Sequence, residues 1–373
     1  MKYRGEQMKV GIITINDNDN YGNKLQNYAV QESLKKVGIE DVETVKNDVY
    51  LNNKKPLIEY IARGTKGLLL RMKMMLTRKI KTPKRIKSFL EFNKNIKFSK
   101  KYFTIFQKHN EYDCYIVGSD QVWNPNFGRL RDLDLVNFET NAKRVAFSAS
   151  FGVSKIDKEH EEKMIKALPK FDAITVREDA GKEIINRAFP NRKVDVLVDP
   201  TMLLTKEEWE KVSKKPDMLK TDKYILNYFL GELSDSRRKE IDRIAKENDC
   251  EVINILDKNS PFYQTGPSEF IYLEKNAFAI CTDSFHSCVF AVLFDRPFIV
   301  FNREDNMAKM NSRIDTLINK FKLENRKFEN KITNENLNHD YTEAYKILEI
   351  ERKKSFDFLN KELEIKENNN NCQ

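Results

Sequence analysis

Short apolar runs rich in Val and Ile alternate with helical segments along almost the whole chain, and this alternation fixes the fold class before any single residue is weighed. Val10 to Ile15, Asp41 to Val45, Tyr112 to Val117, Val145 to Ser148, Ala173 to Val176 and Val194 to Val198 read as strands. Leu25 to Val37, Asp157 to Leu168 and Asp179 to Ala188 carry helical periodicity, and Gly38 closes the first of them as a C-cap. Asp199-Pro200 stops the sixth strand, and the pattern then restarts. Strands at Tyr224 to Phe229, Glu251 to Ile255, Ala277 to Cys281 and Phe298 to Phe301 alternate with helices near Glu207 to Val212, from Ser234 to Asn248, Ser268 to Lys275 and Asn311 to Phe321. Strands joined through helices imply right-handed crossovers and parallel sheets. The expectation is an α/β chain of two Rossmann-like domains facing one cleft, 8–200 and 201–325, with a closing helix over 341–366. A chain of 373 residues suits two such units.

Composition narrows the class further. Forty per cent hydrophobic residues support real cores, and no apolar run is long enough to span a bilayer. Met1 to Lys9 is charged and lacks the apolar stretch of a secretory leader, and Met8 is an alternative start. The five cysteines are scattered and three sit in apolar runs, so a reduced, cytoplasmic protein is expected, with no zinc site. No phosphate-binding G-x-x-x-x-G-K-[ST], no G-x-G-x-x-G and no G-x-S-x-G occurs, which argues against a P-loop NTPase, an ordinary dinucleotide enzyme or a nucleophile-elbow hydrolase. The acidic strings Asp17-Asn18-Asp19 and Asp132-Leu133-Asp134 are too short to mark a metal, and none is expected.

The net charge of +9 is local in origin. Between Arg63 and Lys101 stand 14 basic residues and one acid, so this segment's +13 leaves −4 for the rest of the chain. The segment belongs to an insertion over 56–108, expected as two or three helices broken at Pro83. Leu68, Leu69, Met72, Met75 and Leu76 recur at helical spacing among Arg71, Arg78 and Lys79. Such a stripe suits peripheral contact with an anionic membrane through 63–101, or packing on its own domain. No nucleic-acid-binding motif accompanies it.

In open α/β sheets ligands sit at the carboxyl ends of strands, and five loops there carry chemistry. Thr282-Asp283-Ser284-Phe285-His286 places one of only four histidines at the start of a helix, where free N–H groups favour an anion. Asp283 or Ser284 is equally read as a helix cap. Asn20-Tyr21-Gly22-Asn23 with Gln26 offers amides suited to sugar hydroxyls. In Gly118-Ser119-Asp120-Gln121-Val122-Trp123-Asn124, Gly118 permits close backbone approach and Asp120 is a carboxylate for an acceptor hydroxyl. Trp123 is either an aromatic platform or a core anchor. Ser150 and Gly152 form a small polar turn. Arg177 ends a strand, and its planar fork fits a phosphate or carboxylate, or simply pairs with Glu178.

Taken together, N-Y-G-N-x-L-Q at Asn20 to Gln26, V-G-S-D-Q-V-W-N-P at Val117 to Pro125, S-F-G at Ser150 to Gly152 and V-R-E-D at Val176 to Asp179 resemble the polysaccharide pyruvyl transferases. D-P-T at Asp199, T-D-S-F-H at Thr282, R-P-F at Arg296 and N-S-R-I-D-T-L at Asn311 extend the resemblance from Met8 to about Leu323. It implies a GT-B-like fold and transfer of pyruvate from phosphoenolpyruvate, a co-substrate and not a resident cofactor, to a sugar. The acceptor would be a glycan or a lipid-linked oligosaccharide. Arg177 and His286 take the family's donor-binding and catalytic places. Many members carry an arginine two residues before that histidine where this chain has Ser284, so Arg303, Lys309 or Arg313 is expected to supply the cation. A nucleotide-sugar glycosyltransferase of the same plan, or a silent glycan-binding relative, are the alternatives.

Overall fold

The computed structural model describes residues 8–16, 19–47, 83–103, 105, 108–303 and 312–365. The first unit carries β1 (Lys9–Ile13), α1 (Tyr21–Lys36), β2 (Asp41–Asn47), α2 (Pro83–Phe92), β3 (Phe98–Phe103), β4 (Cys114–Val117), β5 (Lys143–Ala149), α3 (Lys158–Ala167), β6 (Ala173–Val176), α4 (Asp179–Ala188) and β7 (Asp195–Val196). Its seven strands run parallel in the order β3-β2-β1-β4-β5-β6-β7. That is the doubly wound order, with its switch point between β1 and β4.

The second unit follows with α5 (Lys206–Glu210), β8 (Tyr224–Tyr228), α6 (Asp235–Glu247), β9 (Glu251–Asn254), α7 (Pro267–Asn276), β10 (Ala279–Thr282), α8 (Phe285–Leu293), β11 (Phe298–Val300), α9 (Ser312–Phe321), α10 (Asn334–Leu337) and α11 (Thr342–Glu362). Its four parallel strands are ordered β11-β10-β8-β9, with the switch point between β8 and β10. The expected α/β fold with two parallel sheets is therefore present.

Because both faces of each sheet are covered, side chains alternate between two cores instead of between core and water. Cys114 and Ile116 of β4, with Val145 and Phe147 of β5, point into the largest cluster. Their neighbours Tyr115, Val117, Ala146 and Ala149 point into a second one on the outer face. In the other sheet Leu226 and Ile280 join the largest cluster, while Ile225, Ala279 and Cys281 face a third. The two units thus share their main core. α1 lies within it, buried from Tyr21 to Leu34 apart from Glu32, and its amides are consumed by the fold. Gln31 donates to Thr44 Oγ1 at 2.8 Å, and Thr44 in turn donates to Asn27 Oδ1 at 2.6 Å. α11 returns across both units: Phe358 stacks on Phe147 of β5, and Arg352 donates to the carbonyls of Met202 and Leu204.

Two sequence expectations need correction. Residues 98–103 of the basic insertion form an edge strand, not a helix: Lys100, Lys101 and Tyr102 are exposed while Phe103 is buried. Charged residues on an edge discourage pairing with another chain, and here they disguised the strand. The Leu/Met stripe at 68–76 lies outside the described residues, but the part that follows it turns inward. Phe89 and Phe92 of α2 are buried in the main core, as is Arg85. Among the described residues no helix is long and apolar enough to cross a membrane.

Candidate active site

The carboxyl ends of both sheets meet in one cluster. From the first unit come the start of α1 after β1, Asp120 after β4, Arg177 after β6 and Asp199 beyond β7. From the second come Phe285 and His286 in the first turn of α8, and Arg313 in the first turn of α9. Each of these side chains is buried, with Arg177 3% and His286 7% exposed.

Arg177 is the hub. Its Nη2 reaches Asp120 Oδ1 at 3.2 Å and its Nη1 bonds Asp199 Oδ2. Its Cζ lies 4.6 Å from the centre of the Phe285 ring, a cation–π contact between the two units. Arg313 sits 6.0 Å from the same ring. Asp120 has left-handed φ (60°), which asparagine and aspartate tolerate best, and its second oxygen is held by Asn23 Nδ2. Asp199 takes hydrogen bonds from the Thr201 N–H (2.9 Å), the Thr201 hydroxyl (2.7 Å) and Ser119 Oγ (3.2 Å). His286 Nε2 stands 3.7 Å from Asp199 Oδ2. The other side of its ring rests on α1, where a Cβ added to Gly22 would collide with Nδ1. Gly22 is required for that close approach, not for its backbone freedom.

These contacts set the charges. Burial alone would raise the Asp199 carboxyl, but Arg177, His286 and the Thr201 bonds outweigh it and hold the group at about 2. Asp120 is likewise held below its ordinary range: burial opposes ionisation, and Arg177, His286 and Arg313 overcome it. Burial pulls the His286 imidazole below its ordinary value, although Asp199 and Asp120 favour the proton. Arg313 is lowered to about 10 by burial, assisted by Arg177. Among the described residues, Arg177 Nε, Arg313 Nε and His286 Nε2 are buried without a hydrogen-bond partner. Buried polar nitrogens normally find one, and these three belong to side chains of the same cluster.

The remaining sequence-predicted residues fall into two groups. Asn23, Gly22, Ser119 and Gly118 touch or support the cluster, with Gly118 at φ +120° where a Cβ would strike the Phe147 carbonyl. Asn20 caps α1 by accepting from the Asn23 N–H at 3.2 Å. Ser284 precedes α8 with no side-chain capping bond among the described residues, its N–H going to Thr282 Oγ1 at 3.0 Å. Ser150 gives its N–H to the Asp120 carbonyl and leaves a buried hydroxyl unpartnered.

Others are committed to structure, contrary to the sequence reading. Trp123 is fully buried, donates to the Asp134 carbonyl at 2.9 Å and packs on Phe151 and Phe171, so it offers no ring face to a sugar. Gln26 gives its amide to Thr14 Oγ1 and the Asn23 carbonyl. Gln121 and Asn124 bond each other at 2.7 Å, leaving no room for a side chain at Gly152. Tyr21 faces the second unit, its hydroxyl 2.9 Å from both the carbonyl and the hydroxyl oxygen of Thr265. Both oxygens of Asp283 accept the N–H groups of Leu230 and Gly231 (2.7 and 2.8 Å), stitching the β8/β10 switch point. Arg303 lies on that carboxylate at 3.2 Å, and Lys309 lies outside the described residues.

Sequence reasoning assigned no role to Asp199 or Phe285. Asp199 reads as a strand stop before a proline, and its position at a strand end and the D-P-T string were the available signals.

No curated protein matches the chain. Among solved structures, the UDP-GlcNAc 2-epimerase from Methanocaldococcus jannaschii is similar at a TM-score of 0.46 and 14% identity, covering 92% of this chain and 99% of that one. A candidate UDP-N-acetylglucosamine 2-epimerase from Listeria monocytogenes gives 0.45 and 12%, covering 95% and 91%. Neither likeness bears on activity. Residues 20–306 match the family model for polysaccharide pyruvyl transferase. That span takes in α1, Asp120, Arg177, Asp199 and His286, and the chain belongs to the polysaccharide pyruvyl transferase family.

Proposed function

We propose that the chain moves the enolpyruvyl carbons of phosphoenolpyruvate onto a sugar of a glycan or its lipid-linked precursor, forming a pyruvate ketal. The observation that carries this reading is the meeting of His286 with Arg177 and Arg313, each with an unpartnered buried nitrogen. A donor with one phosphate and one carboxylate needs cations and an acid in one place.

His286 as imidazolium protonates the methylene carbon, leaving positive charge at the adjacent carbon. A sugar hydroxyl attacks there, phosphate departs, and a second hydroxyl closes the ketal. One hydroxyl proton replaces the one His286 gave up, and the other leaves on phosphate. Burial pulls the imidazole below its ordinary value, and the donor's negative charge favours its protonated form. Arg177 and Arg313 hold the two anionic groups, with Arg313 filling the place expected of a cation near Ser284. Asp120 is better suited to fixing Arg177 than to accepting a proton, because both its oxygens are occupied and its carboxyl is held ionised. No resident cofactor or metal enters this scheme.

Incubation with phosphoenolpyruvate and candidate glycans tests the reading. Phosphate release in proportion to acceptor is expected, with the glycan gaining the mass of one pyruvate less one water. Release of a nucleoside diphosphate from a sugar nucleotide would point to a glycosyltransferase instead, and no product from either donor to a silent binding protein. Docking near a lipid-linked acceptor through the basic segment remains part of the proposal. It rests on Arg71, Lys73, Arg78 and Lys79, outside the described residues, since Arg85 faces inward; flotation on anionic vesicles tests it.

A further inference from the structure

We infer that Arg85, from within the basic segment, is a positioning residue that latches the two units together and holds the start of α1 against His286. Nothing in the proposed chemistry uses it, yet it is 3% exposed and makes five hydrogen bonds. Its Nε donates to Asp19 Oδ1 at 2.7 Å and its Nη2 to the Asp19 carbonyl at 3.2 Å. Its Nη1 donates to the Tyr21 hydroxyl at 2.7 Å and to the carbonyls of Tyr263 and Thr265 at 3.1 and 3.4 Å. Asp19 and Tyr21 belong to the first unit, Tyr263 and Thr265 to the second, so one guanidinium spans the seam.

The adjoining packing points the same way. The Tyr21 ring stacks on Phe270 of α7 at 4.6 Å and 12°, and Arg85 lies over the rings of Tyr21, Phe89 and Tyr263. A Cβ at Gly266 would come within 2.6 Å of Ser88, so α2 presses directly on the start of α7. The next two residues after Tyr21 are Gly22, against the His286 ring, and Asn23, on Asp120. Any freedom at Tyr21 therefore passes within one helical turn to the histidine and to the carboxylate that holds Arg177. The fork is essential, because a lysine has its donors on one atom and reaches one side of the seam only.

The structural part of this inference stands alone, and its catalytic part rests on the function proposed above; two measurements separate them. The first is amide hydrogen exchange in Arg85→Met, Arg85→Lys and the milder Tyr21→Phe, which keeps the ring on Phe270 and removes the hydroxyl. Faster exchange confined to the α1 start and to 263–266 is expected, weakest in Tyr21→Phe; wild-type exchange there overturns the latch whatever the kinetics. The second is turnover with phosphoenolpyruvate. Arg85→Met should lower kcat by about tenfold or more, since misplacement by about 1 Å costs up to about 10²-fold, with little change in the donor KM, and Arg85→Lys should not rescue it. Gln at the exposed Lys84 or Lys87 serves as control. Full activity in Arg85→Lys, or an equal loss in the Lys84 and Lys87 variants, would show that only the charge of the segment matters. If wild type itself fails to consume phosphoenolpyruvate, the proposed function falls while the exchange measurement still decides the latch.

Discussion

Helices α1 and α8 each begin at the carboxyl end of a parallel strand beside a switch point, one in each unit, and they face each other at the site. At α1, Asn20 caps the helix, Asn23 is bonded to Asp120 and Gln26 to Thr14. Among the described residues no side chain caps the start of α8, and His286 Nε2 has no hydrogen-bond partner. Asp120, Arg177 and Asp199 on the first side form a charge frame whose carboxylates are fully engaged. The titratable group arrives from the second side and touches the frame without bonding to it. Carboxylates held ionised by Arg177 are poor proton donors, so on the proposed function the acid comes from the second unit.

Removing the group that titrates gives the largest effect. His286→Ala should lower turnover by about 10² to 10⁴, the usual contribution of a general acid, with the fold intact. Gly22→Ala should approach that loss from the opposite helix by displacing the same ring. The clash of the added Cβ with the buried ring costs about 1–3 kcal/mol, more than the roughly 0.5–1 kcal/mol of helix preference that alanine gains over glycine, so the variant's thermal midpoint should fall along with activity. A fully active Gly22→Ala would mean that His286 does not depend on α1.

Within the frame, Arg177→Lys keeps the charge but cannot hold Asp120, Asp199 and a donor anion together. The KM for phosphoenolpyruvate should rise about tenfold or more, in keeping with the ~1.5–3 kcal/mol of a hydrogen bond to a charged group. An unchanged donor KM would place the anion elsewhere, on Arg313 or Arg303.

The frame should also shape acid stability. Asp199 is held at about 2 against an ordinary 3.8, so as pH falls the unfolded chain takes up this proton first. Its contribution is complete above about pH 4 and is lost as pH falls through 2, amounting to roughly 2 kcal/mol at 1.36 kcal/mol per unit. Denaturant midpoints across that window should fall steeply for wild type. Asp199→Asn should show a shallower slope and lower stability at neutral pH, because Arg177 loses a buried partner. Parallel slopes would show that Asp199 is not the group being protonated.

Much of this was legible in the sequence. Apolar runs of β length set between helices identified the strands, and His286 stood out as a rare residue at a strand end. What escaped depended on packing between distant segments. Arg85 sits in a run of lysines that reads as solvent-facing, and only its burial against Tyr21 and Thr265 distinguishes it. Asp199 looks like a turn residue until Arg177, twenty-two positions earlier, is folded onto it. The Phe98 to Phe103 strand was hidden because lysines occupy its exposed positions. Gln26 reads as ligand-binding because polar side chains on a helix usually face water; here that helix lies in the core, and Gln26 and Gln31 donate to Thr14 and Thr44.

Trp123 gives the smallest expected change in activity and the cleanest check on the frame. The indole is fully buried beneath the Asp120 loop, and its N–H holds the Asp134 carbonyl at 2.9 Å. Trp123→Phe removes that bond and part of the ring volume, a loss of about 1–3 kcal/mol in stability. Because the ring lies on the core side of the loop, the acceptor KM should stay within about twofold of wild type, the result of losing no contact to substrate. A large rise in acceptor KM without loss of stability would restore Trp123 as a sugar platform. That outcome would mean that the loop between Ser119 and Asn124 opens in the working enzyme, and the rigid side of the comparison would then be α1 alone.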